Sequence, residues 1–166
     1  MVIENRYRQT FDGLNPFQQQ VAFLAGQGYS NKEISKETKR ATSTVKNSLT
    51  PIIAIFDAGN RYGLATRLVQ ADVIDPRQFI EDKKLSGVTF DGLSRNDRTY
   101  MATLAGLDEG DSLPLSNKVI AQRARIKEQT VKNALVSIRL KLGLPWVDRV
   151  VLIMLTLAHQ EEFKAA

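Results

Sequence analysis

Apolar residues recur at helical spacing along the chain. In the first half, Leu14, Phe17, Val21, Leu24 and Ala25 share one face, and Gly26-Gln27-Gly28 ends the run. Asn15-Pro16-Phe17-Gln18 reads as the start of that helix, with Asn15 as cap, Pro16 in the first turn and Gln18 completing a capping box. Ser30 caps a second, short helix reaching to about Thr38, with Glu33 at the capping-box position. A third helix begins near Thr42. Val45, Leu49, Ile52, Ile53 and Phe56 form its apolar stripe, and Ser43, Lys46, Asn47 and Thr50 form a different face at the same period. Pro51 is expected to kink or shorten it. A fourth helix over 61–71 turns Leu64, Leu68 and Val69 inward.

The second half repeats this pattern. Leu93 and the cap Ser94 precede a helix with Tyr100, Met101, Leu104 and Ala105 inward, and Ser116 to Ala124 forms the next. The helix after it places Val131, Leu135, Ile138 and Leu142 inward and Gln129, Lys132, Asn133 and Val136 outward. A last helix, from Trp146 to about Phe163, is apolar nearly all round through Val150, Val151, Leu152, Ile153, Met154, Leu155 and Leu157. A helix of that kind is buried on several sides. One small domain covers only one side, so the other must meet the first copy, the linker helix or another chain, and Val150, Val151, Ile153, Met154 and Leu157 are expected at a surface shared between the two halves or between two chains of a homodimer.

The repetition extends to sequence words. Thr-Val-Lys-Asn occurs at 44–47 and at 130–133, and Ser-Asn-Lys at 30–32 and at 116–118, both pairs 86 residues apart. Phe-Asp-Gly-Leu occurs at 11–14 and at 90–93. Ordered matches in register mean an internal duplication, with a period too long for a solenoid of about 20–50 residues. The expected fold is all-α: two helix-turn-helix domains of about four helices each, over 1–72 and 89–166. The linker, 73–88, is expected to be partly helical, because Asp75-Pro76-Arg77-Gln78 repeats the cap and proline logic and Phe79 and Ile80 can dock a short helix.

Composition then narrows the function. The chain has no cysteine and one histidine, His159. Thiolate chemistry and disulfides are thereby excluded. The acidic residues form no obvious catalytic pair, so no enzyme is expected, and neither a metal nor a cofactor. The net charge is +5, which weakly favours a polyanionic partner. Met1 to Thr10 lacks an apolar signal core, and the apolar stretch from Val150 to Ala158 is too short to span a bilayer. A cytoplasmic protein without membrane contact is expected.

The stretch from Leu14 to Val69 resembles the LuxR/GerE-type DNA-binding domain. Ser30-Asn31-Lys32-Glu33-Ile34, Thr44-Val45-Lys46 and Asn60-Arg61 stand where that family has its matching words, without a gap, and Leu142-Gly143-Leu144 resembles its closing Leu-Gly-Val. The resemblance implies a helix-turn-helix whose third helix reads DNA, with Lys46, Asn47, Lys132 and Asn133 facing bases. It also implies dimerisation through the fourth helix. Two departures stand out. The family's turn glycine and serine cap are replaced by Lys39, Arg40 and Ala41 in the first copy, and by Arg125 and Lys127 in the second. A different turn geometry is expected, with Thr42 as cap, and a first copy that reads DNA less tightly.

Elementary recognition chemistry supports the same assignment. A major groove about 12 Å wide admits one helix, lysine donates to guanine O6 and N7, and asparagine pairs with adenine N6 and N7. Base reading is assigned to Ser43, Lys46, Asn47, Thr50, Gln129, Lys132, Asn133 and Val136. Phosphate binding is assigned to Ser30, Asn31, Lys32, Lys39, Arg40, Ser116, Asn117, Lys118, Arg125 and Lys127, which lie at helix starts and in the basic turn. Arg123, Arg139 and Lys141 add to the second copy's charge, and that copy is expected to contribute more affinity. The leading expectation is a sequence-specific double-stranded DNA-binding regulator of transcription, an activator of bacterial or phage promoters. The alternatives are a sigma-like or RNA-polymerase-binding adaptor, for which the acidic loop residues Asp108, Glu109 and Asp111 suit a basic partner, and a protein-interaction module.

Overall fold

The computed structural model describes residues 2–107 and 116–164, and all regular structure among them is helical. The chain divides into two compact units, Met1–Asp75 and Pro76–Ala166.

The first unit holds α1 (Val2–Asp12), α2 (Pro16–Gly26), α3 (Asn31–Thr38), α4 (Thr42–Ile55) and α5 (Arg61–Gln70). Local chemistry sets the starts of α2 and α3. Asn15 and Gln18 form one complete capping box, and Ser30 and Glu33 another. The apolar stripes meet inside: Val21, Ala25, Ile34, Val45, Ile52, Phe56, Leu64 and Leu68 are all fully buried. α2 packs against α3, α4 and α5. α1 adds a fifth helix that the periodicity did not announce. It lies on α5, where Tyr7 is buried, stacked on Phe56 with ring centroids 6.3 Å apart and capped by the Arg67 guanidinium 4.5 Å above its ring.

α4 corrects two expectations. It runs unbroken for 14 residues with Pro51 inside. Pro51 is exposed, so the Asn47 carbonyl that loses its N–H partner is on the side where water can replace it. Its N-cap is Ala41, which offers no side-chain bond, and Thr42 is already helical.

The second unit holds α6 (Pro76–Asp82), α7 (Arg95–Ala105), α8 (Asn117–Ala124), α9 (Glu128–Lys141), α10 (Arg149–Ala158) and α11 (Gln160–Lys164). The expected linking helix is α6. It packs against α10, burying Phe79 and Ile80. Each unit thus begins with an extra helix, α1 laid on α5 and α6 laid on α10.

This packing gives the last helix cover within its own unit. The apolar segment is two helices broken at His159, and Trp146 lies outside both, 76% exposed. Val150, Ile153 and Met154 are fully buried, while Val151 and Leu157 are half-buried. The main partners of α10 are α6, α7 and α11, all in the same unit. Of the partners open to this helix, the linking helix α6 supplies cover. Phe90 closes the end of this core between His159 and Phe163, at 5.2 and 5.0 Å. No helix among the described residues is long and apolar enough to cross a membrane.

One ion pair joins α7 to α9. Lys141 Nζ lies 2.6 Å from Asp97 Oδ2, and the same oxygen accepts from the Ser94 hydroxyl at 2.7 Å and the Ser94 N–H at 2.9 Å. Burial pushes the Asp97 carboxyl up, but the hydrogen bonds from Lys141 and Ser94 outweigh it and hold the group below its ordinary value. A depressed folded value means stability that is present above the unfolded carboxylate range and is lost as pH falls through the folded value. Asp97→Asn is therefore expected to cost about 2 kcal/mol at neutral pH, in the range for hydrogen bonds to a charged group. Denaturant titrations at stepped pH should show the gap to the wild type closing below about pH 4. A gap that persists unchanged in acid would show that the carboxylate is not its source.

Candidate nucleic-acid interface

The helix-turn-helix of each unit is built in the same register. α3 and α8, the intervening turns, and α4 and α9 correspond residue for residue at a spacing of 86. Val45, Leu49 and Ile52 are buried as Val131, Leu135 and Ile138 are. The turn residues Lys39 and Arg125 both adopt the left-handed conformation, with φ of 52° and 54°. That is the conformation glycine takes most readily. A cation thus holds a glycine-like turn in both copies. A long side chain here carries a backbone cost of roughly 1–2 kcal/mol, and it sets a positive charge just before α4 and α9. α9, like α4, starts without a side-chain cap, at Lys127.

All eight residues assigned to base reading are exposed: Ser43, Lys46, Asn47 and Thr50 on α4, and Gln129, Lys132, Asn133 and Val136 on α9. Their spacing of three, four and seven residues puts each set on one face, opposite the buried stripe. The two faces differ in detail. The Thr50 hydroxyl donates to the Lys46 carbonyl at 3.1 Å. On α9, Lys132 Nζ lies 3.0 Å from Glu128 Oε1, and Gln129 Nε2 donates to Asn133 Oδ1 at 2.9 Å. Sequence reasoning missed Glu128. An acid four residues before a lysine on a helix was the signal available. Thr42 occupies the equivalent place in the first unit.

The residues assigned to phosphate divide into two groups. Lys32, Lys39, Arg40, Lys118, Arg125 and Lys127 are exposed cations at the starts of α3 and α8 or in the turns. Arg40 also stands over the Phe17 ring, 5.8 Å from its centroid. The polar residues also make bonds that serve the fold. Ser30 Oγ accepts from the Glu33 N–H, and Ser116 Oγ from the Val119 N–H. Asn31 Oδ1 accepts from Arg61 at 3.3 Å, and Asn117 Oδ1 from Arg149 at 2.9 Å. The two arginines thereby tie the start of α3 to α5 and the start of α8 to α10. This repeated brace was visible only as the Asn60-Arg61 and Asp148-Arg149 pairs, in which Asn60 and Asp148 cap α5 and α10.

The copies also differ in charge. Five cations face two acids over Ser30–Phe56, and seven face one over Ser116–Leu142. In the first unit the Glu33 carboxylate takes the Ser30 N–H at 2.7 Å, so an acid already sits at the start of α3. Val119 stands in its place in the second unit, so the start of α8 favours an anion more. Asp108, Glu109 and Asp111 lie outside the described residues, as does the side chain of Arg123. Compared with family models, curated proteins and solved structures, the chain gives no match.

Proposed function

We propose that this protein is a sequence-specific double-stranded DNA-binding regulator of transcription, an activator acting at bacterial or phage promoters. α4 and α9 enter the major groove. Lys46, Asn47, Lys132 and Asn133 face bases, and the cations before each helix hold the phosphates. The observation that carries this reading is the repetition, in identical register on α4 and α9, of an exposed face with a lysine and an asparagine at its centre, Lys46-Asn47 and Lys132-Asn133. The resemblance of Leu14 to Val69 to the LuxR/GerE-type domain supports it.

A gel-shift experiment with genomic fragments and the full chain tests the reading. Retardation of particular fragments by the protein alone supports it. Retardation only with RNA polymerase present would favour the adaptor, and none under either condition would overturn DNA binding.

Two sets of variants follow. Lys46→Ala and Lys132→Ala should each weaken specific binding by about 1–3 kcal/mol. Lys132→Ala should cost more, because it removes a donor and also leaves the Glu128 carboxylate unneutralised toward the DNA. Titrations giving equal or reversed costs on one site would refute that ranking. Lys32→Ala and Lys118→Ala should weaken binding to all sequences alike and make the salt slope shallower by about one. An altered base preference with an unchanged slope would reassign these lysines to bases.

A further inference from the structure

The acid on the reading helix of the second unit has no counterpart in the first, and its position is unfavourable for simple attraction to DNA. Of the charged side chains over Ser116–Leu142, Glu128 is the one acid, and it stands in the first turn of α9. An acid there suits the helix dipole. It also faces a polyanion, which weakens binding unless the carboxylate gains a partner on the DNA.

The geometry points to such a partner. Lys132 Nζ and Glu128 Oε1 stand 3.0 Å apart at the edge of the reading face, and both side chains are about half exposed. A G·C base pair displays the complementary arrangement in the major groove. Guanine O6 is an acceptor, cytosine N4–H2 is a donor, and the two are hydrogen-bonded to each other, hence about 2.9 Å apart. Lysine donates to O6 while the carboxylate accepts the outward N4 hydrogen. Both ions keep their mutual attraction, and neither is left bare in the groove. An A·T pair set the same way round puts the adenine N6 donor against the lysine, and the thymine O4 acceptor and methyl against the carboxylate. The reversed pair offers acceptor and donor in the same order as G·C, but it sets the thymine methyl beside the lysine, where G·C has the guanine N7 acceptor, and the adenine N7 acceptor beside the carboxylate.

Resting on the DNA-binding reading above, we propose that Glu128 and Lys132 act as one unit that selects a G·C pair for the second copy. Thr42 and Lys46 in the first copy lack the acid and do not share the selection. The site recognised by the chain is then asymmetric in base preference as well as in affinity. Glu128 is a specificity-determining residue in addition to those assigned from the helix face.

The test starts from a pool of duplexes carrying a randomised stretch, selected with the full wild-type chain. Each G·C pair of the enriched site is then replaced by A·T and titrated with wild type, Glu128→Ala and Lys132→Ala. Wild type should lose about tenfold in affinity at one G·C pair. With Glu128→Ala that loss should shrink severalfold at the same position, and affinity for unrelated DNA should hold or rise as the acid is removed. Because both side chains are exposed, thermal unfolding followed by circular dichroism should show the variants folded. A selection that enriches nothing would overturn DNA binding itself. An enriched site at which Glu128→Ala keeps every wild-type preference would overturn this assignment alone, and would reduce the pair to an ordinary helix-surface ion pair.

Discussion

Met154→Glu is expected to unfold the second unit within the full chain. Met154 is fully buried on α10, whose main partners are α6, α7 and α11. Glutamate is close to methionine in length, so the effect comes from the charge more than from size. No cation stands three or four residues away along the helix: Val150, Val151, Leu157 and Ala158 occupy those places. An unpaired carboxylate taken out of water costs several kcal/mol, whether it stays ionised or is forced to protonate. Domains of this size are held by about 5–15 kcal/mol in total, so little or nothing remains. Met154→Leu is the control, since a volume-conserving apolar exchange costs less than about 1.5 kcal/mol. Denaturant unfolding followed by circular dichroism should show the second unit's helices lost in Met154→Glu and kept in Met154→Leu. Binding that depends on Lys132 should disappear with them. A fully helical Met154→Glu chain with the wild-type midpoint, shifted in light scattering from dimer to monomer, would instead restore α10 as a surface shared between chains.

The contrast between α10 as read from sequence and as found in the fold shows where the pattern of residues stops being informative. The starts of α2, α3, α7 and α8 were legible because capping is local chemistry, completed within three residues of the cap. The shared register of α4 and α9 was legible because a buried stripe repeats along one helix. The fully apolar face of α10 was legible too, but its partner was not. Phe79 and Ile80 announced a helix that docks, and the linker helix was one of three partners open to α10, but nothing in their spacing chose among the three. α1 was missed for a related reason. Its one deeply buried aromatic among the described side chains, Tyr7, owes its place to Phe56 and Arg67, about 50 and 60 residues away. At the candidate site, the exposed faces were readable from spacing. The divided labour of the polar residues was not, because Asn31 and Asn117 are held by arginines 30 and 32 residues away.

Gly63→Ala is expected to destabilise the first unit by about 3 kcal/mol, against the intrinsic preference of a helix for alanine. Helix propensity alone favours the exchange by about 1 kcal/mol. The loop before α5 reverses the sign. Only three residues separate the cap of α4, Phe56, from the cap of α5, Asn60, and two of them, Asp57 and Gly59, take positive φ. So short a connection lays the backbone of Ala58 directly on α5. A Cβ on Gly63 would stand 1.9 Å from the Ala58 carbonyl oxygen and 2.9 Å from its carbon. That oxygen cannot swing aside as a side chain would, since it accepts the Asn60 N–H at 2.6 Å while the Asn60 side chain caps Tyr62 and Gly63. Relief requires moving the loop or α5, at the upper end of what overpacking costs. The second unit supplies the control. Its loop between Leu142 and Asp148 is two residues longer, and Val151 stands where Gly63 does, three residues after the cap. Val151 is half-buried, so Val151→Ala should cost less than about 1.5 kcal/mol, the loss of two methyl groups that are only partly covered. Denaturant titration of both variants decides the matter, and a Gly63→Ala protein as stable as the wild type would show that the Ala58 loop yields. Because Ile52 and Phe56 anchor the end of α4 next to this loop, the same variant should also weaken the binding that depends on Lys46 more than the binding that depends on Lys132.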